Sequence, residues 1–161
     1  RQKIGENTLV VGVDIGCKFN AVAFMNKEGE VLGTYPKVFN SRKGFDYFIE
    51  VVEGTKAKHS LKEVLIGMEP TGHYWRKLAF FAIERVYAVG FIRTTALKHA
   101  REINDSSSSK SDVKDALTIS NITREGKTID TVIEDGIYRE LRTMAKVREK
   151  VLKKSTGCFR N

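Results

Sequence analysis

Only two cysteines, Cys17 and Cys158, occur in this sequence, and they stand far apart without any metal-type spacing. That excludes a zinc ribbon or a disulfide scaffold and is the pattern expected of reduced thiols in a cytoplasmic protein. No histidine cluster accompanies them. No apolar run approaches the roughly 18 residues of a membrane span. The opening, Arg1 to Thr8, is polar and lacks a signal-peptide core. No internal repeat is present. What remains is an ordinary globular composition, 41% hydrophobic and 30% charged over 161 residues, enough for one domain with a real core.

The net charge is +8. Its distribution says more than its size. From Tyr138 to Asn161, eight basic residues face only Glu140 and Glu149, giving about +6 and leaving the first 137 residues near +2. A nearly neutral body with a basic end suggests separate places for chemistry and for holding a polyanion. A solvated helix face would look the same.

Leu9–Asp14 is a short β-branched run ending in an acid and reads as a buried strand. Ala21–Met25 and Glu30–Tyr35 follow as second and third strands, close enough to pair as antiparallel hairpins. Ser41 is placed to cap a helix carrying Phe45, Phe48, Ile49 and Val52. Val64–Met68 is a fourth strand, broken by Glu69-Pro70-Thr71-Gly72. The next helix is expected to bury Tyr74, Leu78, Phe81 and Ala82. Tyr87–Ile92 is a fifth strand. A short helix at about Thr95–Ile103 is expected to expose Lys98 and Arg101. Asn104–Ser109 reads as a polar loop, Ser111–Thr123 as a helix, and the chain from about Asp135 as one long helix. Strands joined by crossover helices argue for parallel pairing. The fold class is α/β: a mixed five-stranded sheet with helices on both faces, plus a long C-terminal helix. The expected division is 1–130 for the α/β domain and 131–161 for the start of a connecting helix with a weak heptad pattern.

Four acids stand out. Asp14 and Glu69 each end a hydrophobic strand, where a carboxylate is costly unless it meets water or a cation. Parallel neighbours would bring both to one C-terminal sheet edge, where ligand sites of open α/β sheets lie. Asp112 and Asp115 are three apart, on one helix face. Like charges that close repel unless something positive lies between them. Hard oxygen donors favour Mg²⁺ or Mn²⁺ over Zn²⁺. Each acid alone has an ordinary explanation: Asp14 opens a turn, Glu69 caps a helix, and Asp112 and Asp115 suit a helix N-terminus.

Val11–Gly16, Gly67–Trp75 and Lys110–Ala116 together resemble the signature blocks of DEDD-type insertion-sequence transposases, the bridge-RNA-associated recombinases with a RuvC-like N-terminal domain. The resemblance covers nearly the whole chain. It implies an RNase H-like fold and phosphoryl transfer on DNA, guided by an RNA. It implies two Mg²⁺ ions, with Mn²⁺ as substitute, held by Asp14, Glu69, Asp112 and Asp115. It also implies a serine nucleophile in a second domain outside this chain, a fragment inactive alone, and a homo-oligomer in the full-length protein. Ser111 stands where the family usually has threonine, and Arg93-Thr94 where Asn-Pro is expected.

Around these acids, Lys98, Arg101, Lys110 and Lys114, with Arg142 and Arg148 further on, are candidates for nucleic-acid contact. Tyr74 and Trp75 could stack on bases, though core packing is the commoner use. His73 beside Glu69 is a weak candidate for proton transfer. The main rival is a Holliday-junction-type RuvC-like endonuclease, which would cleave branched DNA without a second domain. A sugar-kinase or actin-like ATPase would need a second phosphate loop, which is missing. A non-catalytic nucleic-acid-binding module would bind independently of metal.

Overall fold

The computed structural model describes residues 4–104 and 111–129. Lys110, the Ser106–Ser109 loop, Arg142, Arg148, Cys158 and the expected C-terminal helix lie outside these residues. The elements run β1 (Thr8–Asp14), β2 (Phe19–Met25), β3 (Val31–Phe39), α1 (Arg42–Lys58), β4 (Glu63–Met68), α2 (Trp75–Ile83), β5 (Ala88–Phe91), α3 (Thr94–Asn104) and α4 (Asp112–Arg124). No helix among the described residues is long and apolar enough to cross a membrane.

The sheet order is β3-β2-β1-β4-β5. β1–β2 and β2–β3 are antiparallel, and β1–β4 and β4–β5 are parallel. This is the mixed five-stranded, RNase H-like arrangement expected from the alternation of hairpins and crossover helices. β3 runs four residues beyond the expected end at Tyr35, through Pro36. A proline has no N–H for a ladder, and β3 tolerates it because it is an edge strand.

β1 is the central strand, and Leu9, Val10, Val11 and Val13 are all fully buried. Both faces of β1 are therefore covered, which is why its sequence does not alternate. On one face the sheet carries a row of small residues: Ala23, Gly12, Gly67 and Gly90 are cross-strand neighbours in that order. α4 packs into this row. A Cβ on Gly12 would be driven into the Ala116 carbonyl and Ser120, and one on Gly67 into Thr123. One on Gly90 would lie 2.8 Å from Cβ of Thr128, just past the helix. The Ser120 hydroxyl donates to the Ala23 carbonyl at 3.0 Å, tying the helix to β2. The other face holds the larger aromatics, with Phe45 of α1 against Phe81 of α2 at 5.3 Å between rings.

α3 is glued to α4 and the end of β5 by Leu97, Ile92, Ile119 and Ile122, with Ala96 and Ala100 alongside. Burying side chains of this kind is worth about 1.5–3 kcal/mol each. Exposed ion pairs contribute about 0–1 kcal/mol. The apolar contacts therefore fix the position of α3 and decide where its polar residues point.

Candidate metal centre

β1 and β4 end side by side. Val13 pairs with Met68, so Asp14 and Glu69 follow on adjacent parallel strands, about 4.8 Å apart at the backbone. The pleat sends Asp14 to the same face as Gly12, and Glu69 to the same face as Gly67. That is the face α4 covers. The first turn of α4 carries Asp112 and Asp115. The chain path thus carries β1, β4 and the start of α4 towards one end of the sheet.

Their environments differ. Asp115 is 7% exposed, Asp112 is exposed, and Asp14 and Glu69 are half-buried. The pKa of Asp14 rises from 3.8 to about 6. Burial is the main cause, followed by repulsion from Asp115 and Asp112, with a smaller contribution from Glu69; Arg101 opposes them. The other three carboxylates therefore all lie within electrostatic reach of Asp14.

Arg101, expected to be exposed, is instead half-buried. Its Nε donates to Asp115 Oδ1 at 2.8 Å, with the Asp115 side chain 10% exposed. The reason is the apolar seam: Leu97, Ala96 and Ala100 turn one face of α3 onto α4, and Arg101, one residue past Ala100, is carried to Asp115. Lys98 is exposed on α3, as expected, and Lys114 is exposed on α4.

The loop after Asp14 is clamped by two asparagines that the motif spacing does not single out. Gly16 N–H donates to Asn20 Oδ1 at 3.1 Å, and Asn40 Nδ2 donates to the Gly16 carbonyl at 3.2 Å. A fully buried asparagine inside the apolar strand Phe19–Met25 is the signal that points to the first of them. After Glu69, Thr71 N–H closes a tight turn on the Glu69 carbonyl at 2.9 Å.

The aromatic residues of this block separate by role. Trp75 is core, edge-on to Phe91 at 4.9 Å. Tyr74, expected on the buried face of α2, sits instead at the helix start, half-exposed, its ring 4.2 Å from that of His73. The nearby Cys17 thiol raises the pKa of Tyr74. His73 is exposed.

Among the described residues, no three acidic, histidine or cysteine side chains converge tightly enough to grip an ion as they stand. Asp115 is engaged by Arg101. The donor chemistry nevertheless suits a hard divalent cation: four carboxylates, and a positive group already accepted among them. A cleft of about 490 Å³, lined by Lys62, Glu63, Arg85 and Tyr87, lies at the opposite, N-terminal edge of β4 and β5. It is remote from the acids and has no share in their chemistry.

No curated protein matches the chain. The model of the IS110-type DEDD family, described as a transposase, matches residues 11–158. That span takes in Asp14, Glu69, Asp112 and Asp115 and all but the ends of the sequence. The chain belongs to the IS110-type DEDD transposase family.

Proposed function

We propose that residues 1–130 form the metal-dependent catalytic domain of a DNA transposase that cleaves and joins strands by phosphoryl transfer. The observation that carries this reading is the gathering of Asp14, Glu69 and the Asp112/Asp115 pair on the α4-covered face, where burial and acidic neighbours push Asp14 up to about 6. Asp14, Glu69, Asp112 and Asp115 would hold two Mg²⁺ ions, or Mn²⁺ in their place. Such ions would polarise a scissile phosphate and stabilise the attacking and leaving oxygens.

The chain's own residues contribute position and charge. The β1–β4 pair fixes the spacing of Asp14 and Glu69. α4, locked into the small-residue row, delivers Asp115 to the same place. Lys98 and Lys114, exposed on α3 and α4, are placed to meet phosphates, and Lys110, Arg142 and Arg148 would extend that contact. A serine nucleophile outside residues 1–161 completes the reaction, so this chain alone binds metal and nucleic acid without completing strand exchange. The basic segment 138–161 suits the DNA through Arg142 and Arg148, and its remaining cations suit a guide RNA as a second polyanion. In the full-length protein the active form is a homo-oligomer.

The test is Asp14→Asn and, separately, Asp115→Asn in the full-length protein. Recombination is expected to fall by at least about 10³-fold in each, because a two-ion site loses a ligand. Near-normal recombination in either variant removes the metal role.

A further inference from the structure

We infer that Arg101 is a built-in counter-cation for the carboxylate cluster: its guanidinium holds Asp115 while the site lacks metal, and loading a divalent ion requires this ion pair to open. The inference rests on the metal-binding reading above and adds to it a residue that controls loading.

Asp115 is nearly enclosed, so water solvates it poorly, and an unpaired charge there would be strongly destabilising. The guanidinium meets that need at 2.8 Å, a charge-assisted hydrogen-bond length. Its charge also reaches Asp14. One cation thus serves two of the four acids. It comes from α3, which carries none of them. The Leu97–Ile119–Ile122 seam delivers it, so its presence follows from the packing of the fold rather than from a flexible surface chain.

Arginine suits a placeholder. It keeps its charge at every physiological pH, so proton loss cannot vacate the site. Its side chain is 35% exposed, which leaves a path for the head group to turn outward. A guanidinium and a divalent ion sharing Asp115 would repel each other, so exchange is the arrangement that satisfies the carboxylate with one cation at a time. A displaced guanidinium then needs another anion. A phosphate of the nucleic acid fits its two-pronged geometry. Metal loading and phosphate arrival are coupled through this one side chain.

The experiment is calorimetric titration of the full-length protein with MnCl₂, free of nucleic acid, for wild type, Arg101→Gln and Arg101→Lys. Thermal unfolding is followed with and without metal. Arg101→Gln is expected to bind Mn²⁺ about tenfold more tightly, because the cation that competes for Asp115 is gone. Its metal-free form is expected to melt lower than wild type, and added metal to raise its melting point by more. Arg101→Lys, which keeps the charge but loses the fork, is expected between the two, and it decides the matter alone if the glutamine variant does not fold. Affinity unchanged or weaker in both folded variants overturns the inference and makes Arg101 a support that orients Asp115. Absence of binding in wild type and variants alike overturns the metal reading and the inference together.

Discussion

Asp14 is a carboxyl that the native state would rather keep protonated. Its pKa of about 6 lies above the 3.8 of an unperturbed aspartate. The folded protein therefore binds this proton more tightly than the unfolded chain does. Its contribution to the stability of the metal-free protein is fully present below about pH 4, falls as pH rises towards 6, and stays lost above it. Asp14→Asn is uncharged throughout. In chelator at pH 7.5 it is expected to melt a few degrees higher than wild type, and the gap is expected to close by about pH 4. Calorimetry at the two pH values checks this; no gain at pH 7.5 would show that neither burial nor the neighbouring acids penalise the Asp14 charge. The same variant is expected to lose Mn²⁺ binding, so one substitution separates stability from loading. Of the residues proposed for this centre, the four acids are legible in the sequence only together, as two strand-ending acids followed by an acidic helix pair, since each alone has an ordinary explanation. Arg101 is not. Its partner lies 14 positions away along the sequence, and no spacing rule links them. Only the packing of α3 on α4 brings them together.

At the level of elements, the arrangement depends on how closely α4 approaches β1 and β4. Gly12 and Gly67 leave room for it, but their neighbours differ in kind. Gly12 faces the backbone of α4 at Ala116 and Ser120, whereas Gly67 faces the side chain of Thr123. Backbone cannot give way without moving the helix; a side chain can be trimmed. Gly12→Ala is expected to cost about 3 kcal/mol or more, since overpacking typically costs about 1–3 and here meets main chain. Gly67→Ala alone is expected to destabilise comparably, but combining it with Thr123→Ala should recover part of the loss. The second substitution removes the hydroxyl and the methyl carbon 3.0 Å from the new Cβ. Urea unfolding of the single and double variants measures that coupling. An additive double variant would mean that the row of small residues does not set the height of α4. The strands are readable from apolar runs, and α1 from its cap and period. The row itself is not, because strands buried on both faces give no alternation from which to infer register. β3 reads short at Tyr35 because Pro36 argues against a central strand and says nothing against an edge.

Taken as a molecule, the chain divides its charge between a nearly neutral body that carries the acids and a basic segment from Tyr138 onward. If the first binds metal and the second nucleic acid, the two properties are separable by mutation. Removing one phosphate interaction lowers the slope of log affinity against log salt by about 0.9 for duplex DNA. Arg142→Gln with Arg148→Gln in the full-length protein is expected to weaken DNA binding and reduce that slope by up to about 2, while leaving Mn²⁺ affinity unchanged. Asp14→Asn is expected to do the reverse, removing metal binding with the slope intact. Filter binding across a salt series, with parallel Mn²⁺ titrations, reads both. A slope unchanged by substitution of the two arginines would move the nucleic-acid interface to Lys98 and Lys114 on the body. In that case the carboxylates and the phosphate-binding cations would share one surface, and Arg101, standing between them, would govern both.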